Sequence, residues 1–361
     1  MANIDALTLR ILSALGRKPK ASLRALSRDV SLSSVALKKK IGEMLSDKLL
    51  YGVSARINPF TLGLKIVLVF VEALPDKLTL FEKTCDLHPY THYRVRCFGP
   101  INGIFSVFYI PIDVTYLLID LLEELSKDEV IERWILETPT SFPIGCEADY
   151  SFYEPGVGWK FNWDEWAKSI DQLELYEPRE EKNVLNLLDK ADMCILRELS
   201  KNILRKKSEI AKAAGVELYH LDKRWKRLED LGVIDGYRVL VGMHLLQITS
   251  HVLLKCKCSM RDSMKIAAAI RKLPFQSTLF FTSDGFILYV MTTPLHYSIL
   301  TSILRRYCKK IEVYWCDYHS SMRYYFYDEA FSLGSWKADI GFMVNSILKR
   351  IREELMRQKG L

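Results

Sequence analysis

Two stretches of the chain carry cationic and polar side chains at helical spacing. In VSLSSVALKKKIG these are Ser33, Ser34, Lys38, Lys39 and Lys40; in ELYHLDKRWKRLED they are Tyr219, His220, Lys223, Arg224, Lys226 and Arg227. Lys and Arg neutralise phosphates, while hydroxyl and imidazole groups reach phosphate oxygens or base edges. The chemistry these residues support is non-covalent recognition of double-stranded DNA. A third group, His88, His92, Arg94 and Arg96, lies in LHPYTHYRVRCFG. On a strand of period two, His92, Arg94 and Arg96 share one face. No GxSxG, GxxxxGK[ST] or HExxH motif is present. The seven histidines have no metal-ligand spacing, and none of the eight cysteines forms a CxxC pair. No catalytic residue, metal or cofactor is therefore expected.

The elements that must position the cationic residues come as a repeat. Residues 23–53 align with 207–237 at a constant offset of 184: Leu26 with Ile210, Leu37 with Leu221, Ile41 with Trp225, Met44 with Leu228, and Gly52 with Gly236. Each block reads as three short helices and a hairpin, a winged helix-turn-helix whose second motif helix enters the major groove. After each block, alternating β-branched and aromatic runs (LKIVLVFVEAL, FSVFYIP and VIERWILET; then HVLLKCKC, FILYVMTTP and KIEVYWCDY) are interleaved with amphipathic helices. That order predicts a split βαβ, ferredoxin-like βαββαβ domain. The expected fold is α+β: winged helix-turn-helix 1 over 1–58, ferredoxin-like domain 1 over 60–150, an aromatic tail and acidic linker over 151–188, winged helix-turn-helix 2 over 189–240, ferredoxin-like domain 2 over 243–320, and an aromatic tail with a C-terminal helix over 321–361.

The 361 residues, 49% hydrophobic and 26% charged, are ordinary for a folded chain and exclude disorder and a disulfide scaffold. No apolar run is long enough to span a membrane, no signal-peptide layout opens the chain, and the scattered cysteines fit a cytoplasmic location. The net charge of +7 is mild, but residues 1–58 hold eleven Lys/Arg against four Asp/Glu. The excess cation therefore sits where a phosphate backbone would lie.

The run RLEDLGVIDGYRVL after a helix-turn-helix, followed by a βαββαβ domain, resembles the Lrp/AsnC family of transcription regulators. The likeness rests on Leu228, Glu229, Gly232, Val233, Ile234 and Gly236. It implies a pseudo-dimer within one chain, with two non-identical recognition helices reading an asymmetric duplex site, and it allows association of such pseudo-dimers. It also implies a small-molecule effector at the loops holding Gly99, Asn102 and Gly103, and Ser283, Asp284 and Gly285. The expectation is a DNA-binding regulator, not an enzyme. The alternatives are a protein-interaction module, to which the aromatic tails point, and an enzyme. Siroheme decarboxylases share the Lrp/AsnC architecture and hold a tetrapyrrole between ferredoxin-like domains, with His and Arg near it. The His88–Arg96 cluster is compatible with that. The second half, however, offers LPFQSTLFFTSDG at the same place, without His or Arg.

Overall fold

A computed structural model describes residues 4–358. Helices α1 (Ala6–Arg17), α2 (Leu23–Asp29) and α3 (Ser34–Ser46) form the first helical block. Asp5, Ser22 and Ser33 cap them, each accepting from a backbone N–H within the first turn. The second block repeats this with α7 (Lys190–Lys201), α8 (Lys207–Ala214) and α9 (Leu218–Asp230). There Asp189 and Asp192 form a reciprocal capping box at the start of α7. Leu26, Leu37 and Met44 are buried in the first block, as are their counterparts Ile210, Leu221 and Leu228 in the second.

The expected hairpin after each block is not formed. Strand β1 (Leu50–Ile57) leaves into Asn58–Pro59 and a turn of 3-10 helix (Phe60–Leu62), so no return strand follows it. Its edge is instead satisfied by β9 (Ile234–Val241) of the other half. The two pair antiparallel, with Ser54 opposite Arg238. This two-stranded ribbon joins the two helical blocks.

Each half then builds its ferredoxin-like unit. The first has β2 (Leu64–Glu72), α4 (Leu78–Leu87), β3 (Thr91–Phe98), β4 (Gly103–Pro111), α5 (Thr115–Lys127) and β5 (Arg133–Glu137), followed by the short β6 (Ile144–Cys146). The second has β10 (Ser250–Lys257), α10 (Met260–Ile270), β11 (Ser277–Thr282), β12 (Gly285–Thr292), α11 (Pro294–Leu304) and the long β13 (Lys310–Arg323). All nine strands form one sheet in the order β5-β2-β4-β3-β13-β10-β12-β11-β6. The halves fuse because each last segment crosses over: the end of β13 pairs with β3, and β6 pairs with β11. The edge strands β5 and β6 are consecutive in the chain, so the sheet rolls round and its inner faces meet. An inner apolar cluster drawn from both halves fills the space, including Phe70, Phe105, Leu253, Ile287 and Tyr314. The Phe70 and Tyr314 rings lie 4.7 Å apart.

The aromatic tails also cross over. The first passes through the small hairpin β7 (Tyr153–Glu154) and β8 (Gly158–Trp159) into α6 (Trp163–Ser169). It lies on the second half, where the Trp159 indole donates to the Leu246 carbonyl (2.8 Å) and Trp166 to the Ala269 carbonyl (2.9 Å). The second tail, through β14 (Phe331–Ser332) and β15 (Ser335–Trp336) to α12 (Ser346–Gln358), lies on the first half. There Trp336 donates to the Leu62 carbonyl (2.7 Å), and Arg352 pairs with Glu124 and Asp128. Leu62 and Leu246 lie 184 apart, the offset of the repeat.

Candidate functional site

A cavity of about 530 Å³ lies under the β1–β9 ribbon, between the two rolled half-sheets. That volume falls in the range of small-molecule sites, roughly 300–1,000 Å³. Much of the lining is apolar or aromatic: Phe105, Val107, Phe142, Met243, Phe280 and Met291, with Tyr93, Tyr109 and Tyr289. The Tyr93 and Tyr289 hydroxyls, one from each half, hydrogen-bond at 2.9 Å. Three guanidiniums, from Arg56, Arg238 and Arg323, reach the same space, as does the His92 ring.

His92 is placed by a β-bulge. In the second half Gln276, Ser277 and Thr278 are consecutive: Met291 N–H donates to the Gln276 carbonyl (3.0 Å), and Ser277 and Thr278 face Val290 and Tyr289. In the first half Tyr109 N–H donates to the Tyr90 carbonyl (2.9 Å), Thr91 faces Phe108, and Tyr93 faces Val107. His92 is the extra residue. A bulge of this kind re-aims a side chain, and it breaks the alternation that the sequence implies. Arg94 and Arg96 turn to the outer face, where they pair with Glu82 of α4 at 3.0 and 2.8 Å and Arg94 also with Asp86 at 3.0 Å. His88 goes into the core, edge-on to Phe108. The expected cluster of four is therefore divided, and His92 alone enters the cavity, stacked on Tyr109 at 4.0 Å. Burial, with Arg323 and Arg238 nearby, pushes the His92 pKa down to about 3, so the imidazole is neutral at ordinary pH.

Arg323 is placed by a second irregularity. On β13 the pairing jumps from Asp317 opposite Arg96 to Met322 opposite Arg94, and Arg323 then faces Tyr93. The next residue, Tyr324, donates its N–H to the His92 carbonyl (3.0 Å). The corresponding position opposite Thr278 on β6 is Gly145. A Cβ there would sit 2.3 Å from the Arg56 guanidinium, which occupies the space. Among the described residues Arg323 has no acidic partner within ion-pair distance; its guanidinium donates to the Ser54 hydroxyl. Burial, with Arg238 close by, lowers its pKa to about 10. Arg238 and Arg56 are compensated: Arg238 binds Glu147 at 3.0 Å, and Arg56 binds Asp235 at 2.6 Å with Glu147 at 3.7 Å.

The solved structures that span this chain share its architecture. Its fold is similar to that of siroheme decarboxylase NirDL. One structure of that enzyme has a TM-score of 0.57 at 11% identity, covering 95% of this chain and 99% of that one. Another, in complex with an iron-uroporphyrin III analogue, has a TM-score of 0.54 at 12% identity over 85% and 90%. An AsnC family transcriptional regulator from Agrobacterium tumefaciens covers 38% of this chain and 91% of its own, with a TM-score of 0.34 at 18% identity. No family model and no curated protein matches the sequence. The architecture is thus a tandem-duplicated helix-turn-helix plus ferredoxin-like fold. The expectation that the protein is not an enzyme is corrected by these matches, because the full-length ones are structures of an enzyme.

The residues assigned to DNA divide in two. Lys38, Lys39, Tyr219, His220, Lys223 and Lys226 are exposed on α3 and α9, as is Ser33 at the start of α3; Ser34 is half-buried. Lys38, Lys223 and Lys226 have no acidic partner among the described residues, whereas Lys39 lies 3.9 Å from Glu43. Lys40, Arg224 and Arg227 are turned into ion pairs of their own domains. Lys40 bonds Asp5 (3.4 Å), Arg224 bonds Asp189 and Asp192 (2.9 and 2.7 Å), and Arg227 bonds Asp192 (3.2 Å). The carboxylates that cap α7 hold both arginines, Arg224 half-buried and Arg227 still exposed.

The loop residues assigned to an effector do not line the cavity. Gly99, Asn102 and Gly103 form the β3–β4 turn, with Asn102 accepting from the Gly99 N–H (3.3 Å). Ser283, Asp284 and Gly285 form the β11–β12 turn, with Asp284 3.4 Å from Lys257. A Cβ at Gly99, Gly103 or Gly285 would sit within 2.3 Å of a neighbouring carbonyl oxygen, which explains glycine there by close strand passage. Arg323, Arg238 and Arg56 were missed by sequence reasoning. They stand alone among unlike neighbours, and only the crossed-over strands bring them together. No helix is long and apolar enough to cross a membrane, and no metal-binding group of His, Cys, Asp or Glu is found among the described residues.

Proposed function

We propose that the protein is a decarboxylase acting on a carboxylated, tetrapyrrole-like ring held in the cavity. One observation carries this reading: an imidazole and an uncompensated guanidinium, His92 and Arg323, are brought side by side into an apolar cavity by two facing strand irregularities. A half-buried guanidinium with no carboxylate partner calls for an anion. The Arg323 site would anchor one carboxylate of the ring. A second carboxylate lying in the apolar part would lose CO₂: the carbon–carbon bond breaks, its electron pair stays on the ring substituent, and that carbon takes a proton. Burial is the main cause of the neutral His92, and repulsion by Arg323 adds to it; an anion on Arg323 cancels that added part, so His92 holds a proton more readily when the ligand is bound. It is then the group positioned to deliver it. The full-length likeness to siroheme decarboxylase NirDL supports this reading. The test is to mix the full chain with siroheme and with iron porphyrins of decreasing carboxylate number. The shift of the ring's absorbance band and the loss of CO₂ by mass would be followed. Binding with CO₂ loss supports the reading; no shift and no product overturn it.

A second activity, binding of duplex DNA, is supported by Lys38, Lys223 and Lys226, which remain exposed and unpaired on α3 and α9. It is tested by fluorescence anisotropy on mixed-sequence duplexes across a salt series. Affinity falling with salt supports it, and no binding at low salt sinks it.

A further inference from the structure

The charge of the cavity narrows the ligand. Among the described residues, the lining holds the guanidiniums of Arg56, Arg238 and Arg323 and no carboxylate. Just behind it, Glu147 and Asp235 neutralise Arg238 and Arg56. Asp235 is shared with Arg179, and Arg323 is the one lining guanidinium with no carboxylate partner among the described residues. The rest of the contact surface is uncharged: apolar side chains such as Phe105, Phe280 and Met291, with tyrosine hydroxyls and the polar groups of Gln276 and Thr278 between them. A ring carrying a carboxylate on every arm would have to bury most of them against these side chains, at a cost of several kcal/mol for each unpaired ion.

We infer that the cavity takes a sparsely charged planar ring, with one anchoring anion at Arg323 and uncharged edges elsewhere. Heavily carboxylated rings of the uroporphyrin type do not fit it. This inference rests on the cavity being the working site, as in the decarboxylase reading, and assigns to it a substrate less charged than the one named for its fold neighbour. The asymmetry of the two halves points the same way. At the place of Arg323 the other half has Gly145, and at the place of Arg56 it has Leu240. The duplication therefore does not supply a second free cation across the cavity.

The test uses one ring in three charge states: pyrene, pyrene-1-sulfonate and pyrene tetrasulfonate, titrated into the full chain and read by fluorescence. The monosulfonate is expected to bind at least about tenfold tighter than either of the others, which is the scale of one charge-assisted hydrogen bond. Arg323→Met should remove that preference, and Arg323→Lys should keep part of it. A tetrasulfonate that binds as tightly as the monosulfonate overturns the inference, as does failure of the monosulfonate to bind. If Arg323→Met does not fold, as judged by its thermal melt, the wild-type comparison of pyrene with its monosulfonate reads the same anchor; equal affinities overturn it. The decarboxylase reading stands or falls separately. A monosulfonate preference with no CO₂ loss from any tetrapyrrole keeps the charge inference and removes the reaction, whereas turnover of a heavily carboxylated ring does the reverse.

Discussion

Two junctions of the rolled sheet are related by the repeat yet built differently. At the β11–β6 junction the register is regular, and the residues facing each other are Thr278 and Gly145. At the β3–β13 junction one strand gains His92 and the other jumps between Asp317 and Met322, so that Arg323 faces Tyr93. The same architecture thus gives one plain end and one elaborated end. The difference lies in inserted residues as well as in substitutions at matched positions such as Arg323 and Gly145. Irregular pairing weakens a ladder locally, and here the irregular junction is the one that brings a polar pair into the cavity.

The largest effect expected from this difference is on turnover. His92→Ala should lower kcat by about a hundredfold or more, the usual scale for a proton-transfer group. Gln276→Ala, at the regular end, should stay within about threefold. Equal losses would erase the distinction between the two junctions.

Next comes the pH dependence of stability. In the folded chain His92 and His88 are held at about 3 and His251 at about 4, against 6.5 when free. Burial is the main cause in all three. The unfolded chain therefore binds more protons below pH 6.5, and stability falls as the pH drops from there toward 3. By pH 5 each histidine should cost roughly 1–2 kcal/mol. His92→Gln should flatten the drop in Tm between pH 7 and 5 measurably, and a pH-independent Tm in the wild type would break the assignment. A bound anion at Arg323 should shrink the His92 share.

A smaller effect tests the plain end. Gly145→Ala must displace the Arg56 guanidinium, loosening its contacts with Asp235 and Glu147. A loss of about 1–2 kcal/mol is expected, with the pKa of His92 by NMR unmoved. A shifted His92 would show that the two ends are coupled. The smallest effect concerns the helical blocks. Lys38→Ala with Lys39→Ala should reduce the salt slope of DNA binding by about two, whereas Arg227→Ala, already committed to Asp192, should leave the slope unchanged and lower Tm.

Much of the fold was legible because it is periodic. The offset of 184 marks the duplication, and the helical and strand patterns mark βαββαβ twice. The ribbon was not legible, since a strand followed by Asn58–Pro59 reads as half of a hairpin until its partner is seen 180 residues away. The site was legible only at His92, and for an incomplete reason. Alternation groups His92 with Arg94 and Arg96, but an extra residue in β3 separates them, and no local pattern announces a bulge. Arg323 follows a jump in register that depends on which strand β13 meets. Ion pairs such as Arg224 with Asp192 are also tertiary facts: the sequence shows a cation on a helix, not the carboxylate that turns it inward.

The crossed tails have a further consequence. The Trp159 clasp on the second half and the Trp336 clasp on the first mean that neither half closes without the other. Two separately made subunits with such clasps would assort into like and unlike pairs, and only the unlike pair would hold one plain and one elaborated junction. A single chain produces that pair every time, at any concentration. The halves are then free to drift apart in sequence, because neither is ever asked to recognise a copy of itself.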